Sequence, residues 1–341
     1  MNNLKKTALV ILNYNGVKFL KKFLPLVIQH SSMDAEIWVA DNCSTDGSVK
    51  LLEHEFPTVK LIRNDENGGY ATGYNVALKQ ISADYYILLN SDIEVTKNWI
   101  KPVIDLMESD SSIGACQPKI RSYYQKDKFE YAGASGGFID KYGYPFCRGR
   151  IFQSLEVDEG QYDDSREVFW ATGACMFVRS DVFHNIGGFD DDFFAHMEEI
   201  DLCWRMKSLG SKVMVCPSSM VYHVGGGTLP VGSSRKTYLN FRNNFVLLYK
   251  NLPSNMLFKI LVLRLFLDGL AGIKFLMQGG FADFIAVIRA HFYFYRNWIK
   301  IHKKRKNIIR NKVSNIYNGN VAIDHYFFKK KTFVELKKLF S

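Results

Sequence analysis

Three groups of residues in this chain have the types and spacing to do chemistry. The first is Asn90-Ser91-Asp92, which ends the apolar run Tyr86-Ile87-Leu88-Leu89. That run reads as a buried strand delivering Asp92 to a carboxyl-terminal sheet edge, where open α/β sheets bind ligands. A carboxylate there can hold a divalent cation against a diphosphate, although Asn-Ser-Asp also suits a turn or a helix N-cap. The second is His223, within Val221-Tyr222-His223-Val224-Gly225-Gly226-Gly227-Thr228, a strand running into a glycine loop. Imidazole beside carboxylate and phosphate oxygens suits Mn²⁺ better than an all-oxygen Mg²⁺ site; a lone strand-end histidine can equally be structural. The third is a crowd of acids: Asp190, Asp191, Asp192, Glu198, Glu199 and Asp201, beside the apolar Phe193 and Phe194. Acids favour the first turn of a helix, but that preference does not explain so many in so short a stretch. Arg205 follows Asp201 by four residues, the spacing of a helical ion pair, which favours a structural Asp201.

The elements that must position these groups alternate along the first hundred residues. Thr7 to Leu12 is an apolar run ending in Asn13-Tyr14-Asn15-Gly16, followed by the helical pattern Phe19, Leu20, Phe23, Leu24, Val27. Glu36 to Ala40 is a second run, ending at Asp41, and Val59 to Ile62 a third, followed by Asn67-Gly68-Gly69 at the mouth of another helix. Strands alternating with helices predict an α/β fold with a mostly parallel central sheet covered on both faces. Asp41 can accept from a pyrimidine imide or a ribose hydroxyl, or it can close an Asx turn. Gly68 and Gly69 let the backbone approach a ligand closely. The chain has no GxxxxGK[ST] loop, which disfavours ATP-driven chemistry.

Taken together, Asn13-Tyr14-Asn15, Asp41-Asn42-x-Ser44-Thr45-Asp46-Gly47-Ser48, Asn67-Gly68-Gly69-Tyr70-Ala71, Asn90-Ser91-Asp92, Gly187-Gly188-Phe189-Asp190 and Glu198-Glu199-Ile200-Asp201-Leu202-x-x-Arg205 resemble the family 2 glycosyltransferases of the GT-A, nucleotide-diphospho-sugar transferase type. The likeness is to their rhamnosyltransferase-like branch and covers roughly residues 5–250. The resemblance implies an inverting, metal-dependent transfer of a sugar from a nucleoside-diphosphate sugar (dTDP- or UDP-linked) to a hydroxyl of a glycan or lipid-linked glycan. It places Asn13, Tyr14, Asn15, Asp41, Asn67, Gly69, Asn90 and Ser91 around the nucleotide sugar. It makes Asp92 and His223 the ligands of Mn²⁺ or Mg²⁺; Asn90-Ser91-Asp92 stands where the family often has Asp-x-Asp, so one carboxylate is missing. It gives Glu199 the role of the base that deprotonates the acceptor, although the family has Asp there, with Asp201 as the alternative. Trp170, Thr172, Gly173 and Glu198 fall on the acceptor side, Trp170 being either a stacking platform for a sugar or a core residue. The stretch Tyr123–Gly149 reads as a long loop over the site.

Charge divides the chain. Residues 255–341 hold 17 Lys or Arg against 4 Asp or Glu, while the remainder holds 27 against 30. The expected division is a catalytic domain at 1–254 and a helical basic extension at 255–341. On one helix Arg289, Arg296, Lys300 and Lys303 would share a face, opposite Phe281, Phe284, Ile288, Tyr295, Trp298 and Ile299. That is the pattern of a helix lying on an anionic membrane surface, or of helices packed on the catalytic domain with a solvated basic side. No recognition motif supports nucleic-acid binding. The six scattered cysteines form no C-x-x-C pair, which points to free thiols in a reducing compartment. There is neither a secretory signal nor an apolar run of spanning length, so the expected location is cytoplasmic, peripheral to the inner face of the cytoplasmic membrane. A sugar nucleotidyltransferase would need a basic Gly-rich loop after the first strand, for which Asn15-Gly16-Val17-Lys18 is too sparse. A non-catalytic glycan-binding protein is disfavoured by Asp92 and Glu199.

Overall fold

The computed structural model describes residues 5–225, 233–336 and 340. Strands β1 (Thr7–Asn13), β2 (Glu36–Asp41), β3 (Lys60–Arg63), β4 (Tyr85–Asn90), β5 (Ile93–Val95) and β6 (Ile113–Ser122) are interleaved with helices α1 (Val17–Ser31), α2 (Ser48–Glu55), α3 (Gly69–Leu78) and α4 (Lys101–Ser109). Four short strands follow: β7 (Gly137–Asp140), β8 (Pro145–Cys147), β9 (Arg150–Ile151) and β10 (Ser154–Leu155). The chain then forms β11 (Arg166–Glu167), β12 (Cys175–Arg179), α5 (Ser180–Asn185), α6 (Glu198–Ser208) and β13 (Lys212–His223). Its last part holds α7 (Ser234–Asn251), α8 (Ser254–Met277), α9 (Phe281–Arg296), α10 (Trp298–Lys306), β14 (Ile316–Tyr317) and α11 (Val321–Tyr326).

The main sheet runs β11-β13-β6-β12-β4-β1-β2-β3, with β5 paired to β13. From β4 to β3 it is parallel throughout, in a register that sets Asn13 opposite Asp41, Leu12 opposite Asn90 and Asp41 opposite Arg63. Every strand of that half therefore ends at the same edge. Beyond β4 the sheet is mixed, because β12 enters antiparallel between β4 and β6. Side chains alternate between faces along a strand, and both faces are covered: Leu9 and Ile11 pack in one core, Ala8 and Val10 in the other.

Tyr123–Gly149 is divided: its first part reaches the site, where Glu130 faces His223 and the Ala132 carbonyl accepts from Thr172. Residues 137–140 and 145–147 instead join a second sheet of order β10-β9-β8-β7-β14, because Phe138 and Phe146 stack at 6.0 Å and find Tyr317, Phe333 and Phe340 from the chain's end. The segment after residue 254 shares the core of the rest, with Phe294, Ile301 and Val321 in the same apolar cluster as Phe245 and Val215. Nor is 281–303 one helix, since a break at Asn297 separates α9 from α10. The α9 residues Ala286, Val287, Ala290 and Phe294 are buried, with Phe294 against Phe245 of α7. Of the expected basic face, Lys300 is not free: it pairs with Asp192, as does its neighbour Lys304, which also pairs with Asp190. All six cysteines are free thiols.

Candidate active site

The loops expected to hold the nucleotide are knitted to one another. Asn13 Nδ2 donates to Asp41 Oδ1 (2.9 Å), and Asp41 Oδ2 accepts from the Ser44 amide (2.8 Å). Asn15, in the left-handed region at φ 51°, accepts from the Thr45 amide at Oδ1 and donates its own N–H to Ser44 Oγ. Asn13 and Asp41 are buried while Tyr14 is exposed, so Tyr14 offers a ring at the sheet edge and the two partners hold the edge in shape. Asn42 Nδ2 donates to the Gly69 carbonyl (2.8 Å), and Asn42 Oδ1 accepts from Asn64 Nδ2 (2.8 Å), a residue the sequence offered no reason to single out. The Asn67 carboxamide accepts from the Gly69 amide. Gly69 sits at φ 75°, and a Cβ there would lie 2.3 Å from the Phe194 carbonyl, so only glycine admits this approach.

That approach joins the donor side to the acidic segment. The Tyr70 amide donates to the Phe194 carbonyl (2.6 Å), and the Tyr70 hydroxyl donates to the Gly173 carbonyl (2.7 Å). The Asn90 amide donates to Ala174, so Asn90, Ser91 and Asp92 lie beside the Thr172-Gly173 turn. Asp92 approaches His223 Nε2 at 3.2 Å, and His223 Nδ1 approaches Glu130 at 3.1 Å, all three buried. Burial alone would disfavour the charged imidazole, but the carboxylates of Glu130 and Asp92 override it and push the His223 pKa up to about 10. Burial works against the Asp92 carboxylate too, yet the His223 charge holds its pKa below the usual range. Sequence reasoning missed Glu130, which lies in an unremarkable Tyr-rich stretch. Gly226, Gly227 and Thr228 of the glycine loop lie outside the described residues.

Asp92 and His223 lie close enough to share a divalent cation only if the cation displaces the proton between Asp92 and Nε2, because both ring nitrogens face carboxylates. Among the described residues no group of three or more His, Cys, Asp or Glu side chains could hold a metal. The rest of a coordination shell would have to come from the donor diphosphate and water, which suits the single carboxylate of Asn90-Ser91-Asp92.

Helix α6 opens with the acid pair. The segment before it is strained, since Phe194, His196 and Met197 all have φ near +63 to +72°, a conformation that persists only when surrounding structure over-determines it. Helix α7 provides that constraint. Asn243 Nδ2 donates to the carbonyls of Phe193, Ala195 and His196, and Arg242 donates to those of Asp192 and Phe193. The sequence signal for this clamp was a polar Arg-Asn-Asn inside an otherwise amphipathic helix. Glu198 and Glu199 each keep a buried carboxylate oxygen without a hydrogen-bond partner. Burial raises the Glu199 pKa to about 7, and burial plus the neighbouring Glu199 charge raises Glu198 well above its ordinary value.

Two expectations change here. Asp201 is 0% exposed and is locked by Arg205 Nε (2.8 Å), Lys250 Nζ (2.9 Å) and Asn251 Nδ2 (2.9 Å). It faces the interior and cannot reach an acceptor, so the structural role suggested by its spacing to Arg205 is the one it has. Trp170 is 4% exposed, with its indole N–H donating to the Phe138 carbonyl. It is core, not a stacking platform. Thr172, bonded to the Ala132 carbonyl, and Gly173 are buried beside it, so that strand end shapes the site from behind.

The profile of glycosyl transferase family 2 matches residues 8–187, over half of the chain, and the protein belongs to that family. Its fold is the GT-A fold and it is a glycosyltransferase. Among its relatives is an N-acetylglucosaminyl-diphospho-decaprenol L-rhamnosyltransferase of Mycobacterium tuberculosis, 28% identical over 229 residues, 63% of this chain and 74% of the relative. Another is the dTDP-rhamnosyl transferase RfbF of Shigella flexneri, 25% identical over 258 residues, 71% and 79% of the two chains. Similar folds occur in a mannosyltransferase from Pyrobaculum calidifontis bound to GDP-Man and Mn²⁺ (TM-score 0.53, 12% identity, covering 96% of this chain and 89% of that one). They also occur in GalNAc-T7 with UDP, GalNAc and Mn²⁺ (TM-score 0.59, 18% identity, 74% of this chain, about half of that one at 49%).

Proposed function

We propose that the protein transfers a deoxyhexose of the rhamnose type from a dTDP- or UDP-sugar to a hydroxyl of a lipid-linked glycan, with inversion at the anomeric carbon. The observation that carries this reading is the Glu198–Glu199 pair at the strained start of α6. A carboxyl with a pKa near 7 is matched to proton abstraction at neutral pH. Glu199 takes the acceptor proton as the acceptor oxygen attacks C1, and the bond from C1 to the β-phosphate oxygen breaks. A single in-line displacement inverts the centre. Glu198, held protonated beside it, limits the pair to one ionised group. Asn13, Asp41, Asn67 and Gly69 shape the nucleotide side, with Tyr14, Asn15, Asn90 and Ser91 at its edge. Asp92 and His223 would hold Mn²⁺ or Mg²⁺, which when bound offsets the charge of the departing nucleoside diphosphate.

The acceptor class is supported by the relative named for a diphospho-decaprenol substrate and by the outer surface of α8 and α9. No helix among the described residues is long and apolar enough to cross a membrane. Yet Phe258, Val262, Phe266, Leu270, Ile273 and Met277 form an exposed stripe along α8, flanked by exposed Lys259 and Lys274. Such a face, with Phe292 and Ile299 beyond it, suits the interface of an anionic bilayer. That would make the enzyme peripheral to the inner face of the cytoplasmic membrane, at work on a cell-surface polysaccharide.

Turnover of dTDP- and UDP-sugars with a lipid-linked acceptor tests the reading, with the product anomer read by NMR. Asp92→Asn should abolish the Mn²⁺-dependent part of nucleoside diphosphate binding in calorimetry. Retention of the donor configuration, or metal-dependent affinity unchanged in the variant, would overturn the mechanism.

A further inference from the structure

A cavity of about 540 Å³ lies between α7, α9 and the Phe194 turn, within the size range of small-molecule sites, roughly 300–1,000 Å³. Arg235, Arg242 and Arg289 line it, with Tyr238 and Ala286, and among the described residues no carboxylate does. Arg242 is committed to the carbonyls of Asp192 and Phe193. Arg235 and Arg289 differ: both are exposed, and among the described residues neither has an acidic partner. They are held instead over rings, Arg235 over Phe194 (5.3 Å) and Arg289 over Tyr238 (5.5 Å). The first-turn acid of α9, Asp283, is already bonded to Thr237 Oγ1 (2.6 Å). Two guanidinium groups with their donors free, set on aromatic faces, match the oxygens of phosphate.

Two neighbours say what kind of phosphate. Phe194, one wall of the cavity, has its carbonyl on the Tyr70 amide and lies four residues before Glu198, so the cavity adjoins the base side of the site. On α9, Arg289 is next to exposed Ile288 and three residues from Phe292, so an apolar surface begins where the arginines stop. We infer that this cavity binds the diphosphate of an amphipathic acceptor, with the sugar directed to Glu199 and the hydrocarbon chain along the outer face of α9. The inference rests on the proposed transfer to a lipid-linked acceptor and assigns the phosphate subsite that such an acceptor requires.

The test uses the full chain with its donor site filled by saturating nucleoside diphosphate and Mn²⁺, so that a second diphosphate cannot bind there. Dodecyl diphosphate is titrated against wild type, Arg235→Ala, Arg289→Ala and the two lysine variants. Each alanine should weaken binding about tenfold or more, the scale of a lost charge-assisted hydrogen bond, and lysine should restore part of it. In turnover, the ratio of kcat/KM for a diphosphate-linked acceptor to that for an uncharged alkyl glycoside should fall by a similar factor. No binding of dodecyl diphosphate, or equal binding by the alanine variants, overturns the inference. So does inorganic pyrophosphate binding as tightly, which would mean a site for free anion. Displacement by anionic phospholipid vesicles to the same extent would mean a headgroup site and also overturns it. Arginine-dependent binding without any glycosyl transfer would support the subsite and count against the proposed reaction alone.

Discussion

At Glu199 the same burial that would suit a base costs stability. Its pKa is raised by desolvation from an ordinary 4.5 to about 7, so below that pH the carboxyl is protonated and cannot accept the acceptor's proton. The kcat/KM profile should therefore lose about tenfold per unit on the acid side of about pH 7. Glu199→Gln should lower kcat by roughly 10²- to 10⁴-fold with donor affinity little changed. Linkage gives a second readout. A raised folded-state pKa means stability is fully present below about 4.5 and lost as pH rises through about 7. The glutamine variant escapes that loss, so its Tm should exceed that of wild type at pH 8 and show no gain at pH 4. A glutamine variant with near-normal kcat would remove Glu199 from the mechanism. Asp201 should behave oppositely. Asp201→Asn strips the counter-charge from buried Arg205 and Lys250, and breaking such pairs costs about 3–5 kcal/mol. Denaturant unfolding should show that loss, while the folded fraction keeps its turnover. A folded but inactive Asp201→Asn would contradict the structural role.

The acid pair is presented by two elements that must agree. Helix α6 cannot begin at Glu198 unless the chain passes through positive φ at Phe194, His196 and Met197, and α7 fixes those turns through Asn243 and Arg242. Asn243→Ala releases three carbonyls at once. It should destabilise the fold by about 1–3 kcal/mol for the group left unpaired. More specifically, it should speed amide exchange over residues 193–197 and lower kcat, because the base is then no longer held in place. Exchange unchanged in that segment would mean that packing, not the carboxamide, sets the turn.

Over the whole molecule, the C-terminal helices are part of the fold's core, which the charge pattern alone did not reveal. Lys250 and Lys304 converge on Asp190, and Arg305 donates to the carbonyls of Tyr249 and Leu252. Arg264 pairs with Asp268 at 2.8 Å in the buried stripe of α8. Removing residues after 254 should therefore unfold or aggregate the remainder, as judged by circular dichroism and solubility. Membrane affinity is better tested on the exposed stripe, where Phe258 is 82% and Ile299 72% exposed. Phe258→Ser, Phe266→Ser and Ile299→Ser together should leave Tm nearly unchanged and reduce co-sedimentation with anionic vesicles. In the wild type a part of the binding should resist salt, since only the Coulombic share is screened within about 8–10 Å. A full-length protein that stays in the supernatant at low salt would end the interfacial reading.

Strands β1 to β4, the helices after them, the sheet edge bearing Asn13, Asp41 and Asp92, and the acid cluster before Arg205 were all legible in the sequence. Each is written locally, as an apolar run with polar residues at its end or as a helical period, and the family's motifs lie on these same segments. What the sequence left open was settled by contacts between distant segments. Glu130 meets His223 across 93 residues of chain, and Asn243 reaches Phe193 across 50; neither has any local pattern to reveal it. Trp170 read equally well as exposed or buried until Phe138 was brought against it, and the structural Asp201 that Arg205 suggested gained its second cation, Lys250, only in the fold. Basic residues after 254 looked like one surface because charge can be counted along the chain. Which of them stay exposed and which pair with Asp190 and Asp192 depends on how the helices pack, and only the tertiary structure decides that.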